Sequence, residues 1–302
     1  MYKVSIIGAG VVGTAIGYLL KERGYPIVGI ASRTLESAKK AREFIGEGEA
    51  SIDVSATAKK ADIVFITTPD SAIEEVCIKI ASEGGFNPGA ILFHMSGALS
   101  SEILGPARNV GVNVASIHPL QSLADVREAV KNLPGSYFCI EGDDAALSVA
   151  REIVAAIGGK EITLKADKKP LYHAGASVAS NFLVATVGFG LELFEVAGIG
   201  KEDSLNALMP LIKGTVKNIE ILGIPSALTG PISRGDTGVI EGHLKAISDE
   251  KPKMLRLYCE LGRYTVKVAI EKATIEKDEA KRMISLFDKY QSGGDDGKDN
   301  NQ

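Results

Sequence analysis

The stretch Lys3–Thr34, KVSIIGAGVVGTAIGYLLKERGYPIVGIASRT, constrains the fold more than any other part of the chain. Val4, Ile6 and Ile7 form an apolar run with no gap for a solvent face, as a strand buried on both sides requires. The run ends at Gly8-Ala9-Gly10-Val11-Val12-Gly13, and an amphipathic helix continues through Ile16, Leu19 and Leu20 until Gly24. Ile27–Ala31 is then a second apolar strand. A strand, glycine turn, helix and strand within about 30 residues put glycines where a dinucleotide needs them. The first permits the tight turn, the second lets backbone approach a pyrophosphate, and the third lets helix pack closely on strand. Unpaired N–H groups and the helix dipole then favour the anion at the helix N-terminus. Gly8, Gly10, Val11, Val12 and Gly13 are therefore the expected cofactor cradle.

The end of the second strand narrows the cofactor. An acid about 20 residues past the glycines would bond the ribose hydroxyls of NAD. This strand instead ends Gly29-Ile30-Ala31-Ser32-Arg33-Thr34, with no acid until Glu36. Ser32, Arg33 and Thr34 offer hydroxyls and a guanidinium that pair with a 2′-phosphate, so the expected cofactor is NADP. The alternative is that Arg33 and Thr34 only open the next helix.

Strands alternating with helices continue to Ile162-Thr163-Leu164, and strand ends recur at Thr68-Pro69-Asp70, His94-Met95-Ser96-Gly97 and His118-Pro119-Leu120-Gln121. This order implies a doubly wound, mostly parallel sheet covered on both faces. From Asp167 long helical patterns take over, beginning with one expected over Pro170–Ala197. The expected division is a nucleotide-binding domain over 1–165, an all-helical domain over 166–290 for substrate binding and dimerisation, and a mobile polar tail over 291–302. A length of 302 residues suits two domains, and a net charge of −4 without a long basic run argues against nucleic acid as a partner. Residues 1–20 are spent on a strand, a turn and a helix rather than a leader pattern. Cys77, Cys139 and Cys259 lie far apart, as reduced thiols of a cytoplasmic protein, and suggest no metal site. Phe182–Ile199 is apolar but carries Glu192 and Glu195, so it reads as a buried helix rather than a membrane span.

Ligands of such a sheet bind beyond the carboxyl ends of its strands. Thr68, Pro69 and Asp70 would pass along the cofactor, or else simply end their strand. His94 and His118 are two of only four histidines, and imidazole can exchange the proton that accompanies hydride transfer. In the helical half, His173, Ser177, Ser180 and Asn181 share roughly one helix face; a hydrogen-bonded network inside a bundle is the alternative. Arg234, in the loop Thr229-Gly230-Pro231-Ile232-Ser233-Arg234-Gly235-Asp236, is the candidate fork for a substrate carboxylate or phosphate.

Together these residues resemble the 6-phosphogluconate dehydrogenase-like superfamily, in which a Rossmann domain is followed by an all-helical domain. The group includes ketopantoate reductase, pyrroline-5-carboxylate reductase, 3-hydroxyisobutyrate dehydrogenase and prephenate dehydrogenase. His94-Met95-Ser96-Gly97, Ser116–Gln121, His173-Ala174 with Ser180-Asn181, and Ala227–Pro231 with Arg234-Gly235-Asp236 resemble one subfamily of Rossmann-like NADP oxidoreductases whose helical domain has no assigned function. Many relatives use a lysine four residues before an asparagine; aligned on Asn181, that position is Ser177 and the lysine is missing. Prephenate dehydrogenases use a His-Pro histidine with a serine from the preceding strand end, which Ser96 and His118-Pro119 resemble. The resemblance therefore implies His118 as the proton-transfer group, with Ser96 and Asn181 polarising the substrate, His173 as a second candidate, and Ser177 and Arg234 as substrate contacts. The implied activity is NADPH-dependent reduction of a small carboxylate-bearing carbonyl compound, such as a ketopantoate-like 2-keto acid. An imine reductase of the pyrroline-5-carboxylate type and an NADP-binding sensor without turnover are the alternatives. A homodimer through the helical domain is expected, because its helices are apolar on more than one face.

Overall fold

The computed structural model describes residues 1–292, so the expected tail falls outside the described residues except for Gln291 and Ser292. The order of elements begins β1 (Val4–Ile7), α1 (Val11–Glu22), β2 (Ile27–Ala31), α2 (Leu35–Ile45), β3 (Glu49–Ser51), α3 (Val54–Ala58), β4 (Ile63–Ile66) and α4 (Asp70–Ser82). It continues with β5 (Ile91–His94), α5 (Gly105–Arg108), β6 (Asn113–Pro119), α6 (Val126–Asn132), β7 (Tyr137–Gly142), α7 (Asp144–Ala156) and β8 (Lys160–Thr163). Helices follow: α8 (Lys169–Ala179), α9 (Asn181–Val196), α10 (Lys201–Leu222), α11 (Thr237–Glu250), α12 (Leu255–Glu271) and α13 (Lys277–Ser292).

The strands form one eight-stranded sheet in the order β3-β2-β1-β4-β5-β6-β7-β8. Pairing is parallel throughout except between β6 and β7, so β7 and β8 run against the other six. Side chains alternate between two apolar layers. Ile6, Phe65, Phe93, Ile117 and Phe138 pack on one face against Ile16 and Leu20 of α1 and Ile153 of α7. Ile7, Val64, Leu92 and Val114 pack on the other against Ile73, Cys77 and Ile80 of α4. The fold is thus a mostly parallel Rossmann sheet followed by an all-α domain.

Asp53 opens a short helix: its carboxylate caps α3 by accepting from the Ser55 and Ala56 amides. The strand at this point is Glu49–Ser51, hidden from sequence reading by its glycine-flanked, three-residue length. The chain divides into two compact units, the first ending at Leu183 and the second starting at Val184. Sheet composition ends at Thr163, near the expected boundary at 165, yet the first unit retains α8. Polar contacts link α8 to the strand ends, as described below.

The expected single helix over 170–197 is two helices, broken at Ser180, whose φ of −112° and ψ of −68° depart from the helical well. The expectation of a buried helix over 182–199 is also corrected: of α9 only Phe189 is buried, while Phe182 is 59% and Val184 74% exposed. The stretch Ala166–Val196 is long and apolar enough to cross a membrane by length and composition alone, and 6% of its most apolar window is buried. An all-round apolar pattern signals a demand for cover without identifying the cover. The second unit has its own core, in which Ile240 and Leu244 of α11, Val266 of α12 and Met283 and Phe287 of α13 are enclosed.

Candidate active site

At the β1 turn Gly8 adopts φ +118°, and a side chain there would meet the Thr67 backbone at 2.6 Å. A Cβ on Gly13 would overlap the Gly8 carbonyl oxygen and the Thr67 hydroxyl, whose Oγ1 donates to that carbonyl at 2.7 Å. Gly10 instead faces open space and is the N-cap of α1 without a side-chain cap. No acid stands in the first turn of α1. The start of α1 is thus left without a side-chain cap or an acid, as an anion-binding helix start requires.

Ser32 is half-buried and Arg33 is exposed, with no ion pair among the described residues. Thr34 is engaged locally: its Oγ1 accepts from the Ser37 amide at 3.2 Å and caps α2. Glu36 pairs with Lys40 at 2.7 Å, which leaves Arg33 without an acidic neighbour of its own turn. After β4, Pro69 is the N-cap of α4 and Asp70 opens the helix. The Thr68 Oγ1 is buried without a hydrogen-bond partner. Asp70 turns toward β5, where its Oδ2 accepts from the Ser96 hydroxyl at 2.8 Å.

The ends of β5 and β6 are polar and crowded. Ser96 is buried, and besides donating to Asp70 its Oγ accepts from the Ala98 and Leu99 amides at 3.2 and 3.1 Å. His94 is fully buried; its Nδ1 accepts from the Ser96 amide at 3.1 Å, so the neutral ring carries its proton on Nε2. Burial, followed by the charge of Lys169, lowers the His94 pKa to about 3. That makes His94 part of the frame rather than a group that titrates near neutrality.

His118 is half-buried at the end of β6, and its Nδ1 shares a 2.9 Å hydrogen bond with the Tyr172 hydroxyl of α8. His173 is half-buried beside it, with ring centroids 6.2 Å apart and planes at 78°. Gly97 separates them: an added Cβ would lie 2.7 Å from both His118 Nε2 and His173 Cδ2. Only glycine lets the two imidazoles close over the β5 loop. Burial first, then Lys169 and His173, lower the His118 pKa to about 4, so this ring is neutral at physiological pH.

Three residues that sequence reading did not select complete the arrangement. Lys169 is fully buried, and its ammonium donates to the Ser96 carbonyl at 2.8 Å and to the Ser116 hydroxyl. Glu141 of β7 stands 3.7 Å from that ammonium and accepts from the Ser101 amide and hydroxyl at 2.7 and 2.8 Å. Tyr172 is the third. Four residues before Asn181 the chain does carry Ser177, and the lysine near this site comes from a different place, the start of α8. Lys169, Tyr172, His173 and Ala176 follow the i, i+3, i+4, i+7 spacing of one helix face, which was the available signal.

Of the remaining candidates, Ser177 is half-buried one turn beyond His173, whereas Asn181 is exposed and belongs to α9. The helix break at Ser180 therefore separates it from the continuous face expected for His173, Ser177, Ser180 and Asn181. Arg234 belongs to the second unit, exposed in a short turn after Pro231, and Asp236 caps α11 by accepting from the Val239 amide at 3.2 Å. Among the described residues, no three His, Cys, Asp or Glu side chains gather as metal ligands would.

Comparison with known proteins is consistent with this geometry. Residues 1–119 match a family described as a Rossmann-like domain, and residues 136–265 match a domain of unknown function, DUF2520. The crystal structure of protein TM1727 from Thermotoga maritima is 30% identical, with 89% of this chain and 99% of that chain covered and a TM-score of 0.72. A pyrroline-5-carboxylate reductase from Coxiella burnetii shares the fold at 14% identity, over 94% of this chain and 98% of its own, with a TM-score of 0.58. A 2-dehydropantoate 2-reductase of Archaeoglobus fulgidus is 31% identical over 105 residues, which are 34% of this chain and 35% of that enzyme. The match thus spans about a third of that reductase.

Proposed function

Because the chain belongs to a Rossmann-like NADP oxidoreductase superfamily with a C-terminal helical domain, related to ketopantoate and pyrroline-5-carboxylate reductases, we propose that it exchanges hydride between NADPH and a small carboxylate-bearing carbonyl compound. The observation that carries this reading is the meeting of His118, Tyr172 and His173 around Gly97, on the sheet whose β1 turn leaves uncapped amides at α1. The amides of Val11, Val12 and Gly13 hold the pyrophosphate, and Ser32 and Arg33 hold a 2′-phosphate. Thr68, Pro69 and Asp70 border the cofactor from the end of β4. Bound NADPH would supply the hydride.

His118 exchanges the proton at the substrate oxygen. A ring that is neutral at physiological pH accepts the hydroxyl proton in alcohol oxidation; in carbonyl reduction it first takes up a proton from solvent and, as imidazolium, passes it to the oxygen as the hydride arrives. Ser96 fixes the loop beneath that oxygen through Asp70, and His173 stands on the other side of Gly97 as a second hydrogen-bonding group. Ser177, Asn181 and Arg234 remain assigned to the substrate by their chemistry. The exposed apolar residues of α9 and α10, among them Val184, Leu211 and Ile221, are assigned to pairing of two copies; light scattering of the purified chain would read a dimer mass, and a monomer overturns this.

The test is a panel of 2-keto acids and cyclic imines, followed by NADPH absorbance. Consumption with a 2-keto acid is the expected result. Consumption only with cyclic imines moves the substrate class to imines. Tight NADPH binding with no consumption across the panel replaces the enzyme by a cofactor sensor.

A further inference from the structure

The sheet carries one polar row through an otherwise apolar layer. His94, Ser116 and Glu141 are direct register partners on adjacent strands, and none is more than 3% exposed. One step back along the same face, Leu92 and Val114 pack in the apolar cluster that α4 covers. Two residues onward lie His118 and its partner Cys139. The Lys169 ammonium closes the row from above, bonded to Ser96 O and Ser116 Oγ, with Glu141 as counter-charge. Glu141 is itself fixed by Ser101, so neither charge can swing away without stranding the other.

Such a pair is not explained by stability alone. Taking both ions out of water costs several kcal/mol, and well-packed neutral replacements of buried pairs are often tolerated. Its position is informative: the ammonium holds the two strand ends that carry Ser96 and His118, one helical turn before Tyr172 and His173.

We propose that Lys169 is a positioning residue for the proton-transfer group of the reaction proposed above: its buried ammonium pins the ends of β5 and β6 and sets the electrostatic field at His118. The inference rests on that reading for its kinetic part only. The groups facing His118 are Lys169, Tyr172 and His173 from α8, Cys139 from β7 and His94 from β5, with Glu141 and Asp70 acting on it through Lys169. Of these Lys169 is the nearby cation: burial lowers its own pKa and Glu141 acts to raise it, and its positive charge disfavours a second one on the imidazole.

The test is the double variant Lys169→Met with Glu141→Gln, which removes both charges together. Histidine ring NMR titration of the full-length chain gives the first readout, independent of any turnover. The His118 midpoint is expected to rise by about one pH unit toward its ordinary value. With the substrate found by the panel above, the acid limb of kcat/KM is expected to rise in parallel, and kcat to fall about tenfold with KM little changed. A folded double variant whose His118 midpoint does not move overturns the proposal, whether or not a substrate is known. Should that variant fail to fold, Lys169→Gln removes the charge while keeping a donor for Ser96 and Ser116, and Glu141 can take up a proton. A smaller rise of the His118 midpoint supports the assignment there, and an unchanged one overturns it. Failure of the NADPH panel with a shifted NMR midpoint leaves Lys169 assigned and rejects the reductase instead.

Discussion

The two ends of the sheet's carboxyl edge are built from opposite materials. At β1 and β2 the edge is backbone: a glycine turn, uncapped helix amides and an exposed Arg33. At β5 and β6 it is side chain: His94, Ser96, Ser116 and His118, backed by Lys169 and Glu141. A backbone cradle is indifferent to most sequence around it and reads charge and shape. A side-chain cluster is interlocked and, where it is buried, able to tune protonation. Under the function proposed above, the contrast would divide the labour of a two-substrate site, with recognition of an anion at one end and control of a proton at the other.

Substitutions that touch one end and spare the other sharpen that contrast. The largest effect is expected from Gly97→Ala, whose methyl would sit 2.7 Å from both His118 Nε2 and His173 Cδ2. Displacing those rings by about 1 Å should lower kcat roughly a hundredfold. The NADPH Kd, read by fluorescence titration, should stay near its original value; a matching loss of cofactor affinity would break the division. Arg33→Asp is the mirror experiment. It should weaken NADPH by about ten- to a hundredfold, as loss of a charge-assisted phosphate contact does, with little change for NADH. Equal losses for both cofactors would remove the 2′-phosphate assignment.

A smaller, graded effect is expected from acid. The unfolded chain protonates His94 and His118 near pH 6.5, whereas the folded chain resists to about 3 and about 4. Between pH 6.5 and 5 the unfolded state therefore binds more protons, and stability falls as pH falls. Each histidine adds up to about 1.4 kcal/mol per pH unit, readable as a shift in urea midpoint. A His118→Asn chain should lose about half of that slope. A slope unchanged by this substitution would mean that the ring is solvated and the edge is not dry.

The same contrast explains what sequence could and could not reveal. The glycine loop was legible because its determinants lie within six residues and each glycine has a separate geometric task. The side-chain edge is assembled across long separations, as in Lys169 with Ser96, 73 residues apart, and Ser101 with Glu141, 40 apart. Strand-end histidines could be picked out as unusual, but not which would be buried as frame. Lys169 lies twelve residues before Asn181, outside any motif spacing, and the break at Ser180 puts Asn181 on another helix. Glu141 had a signal, an acid closing the apolar run Tyr137-Phe138-Cys139-Ile140, but its partners Ser101 and Lys169 lie far away in sequence. The short amphipathic α6 went unassigned, since seven residues hold too few periods to stand out.

One feature of α8 works as a gauge. Lys169 meets Ser116 and Tyr172 meets His118, so three helix residues are matched to two strand residues. Three helical steps advance about 4.5 Å and two strand steps about 6.6 Å, close enough for side chains of different reach to absorb the difference. Adding or deleting one residue between Lys169 and Tyr172 would turn one contact by about 100° relative to the other and break the match. The spacing of these two residues along α8, more than the connector before it, is thus a specification that cannot drift by a single residue.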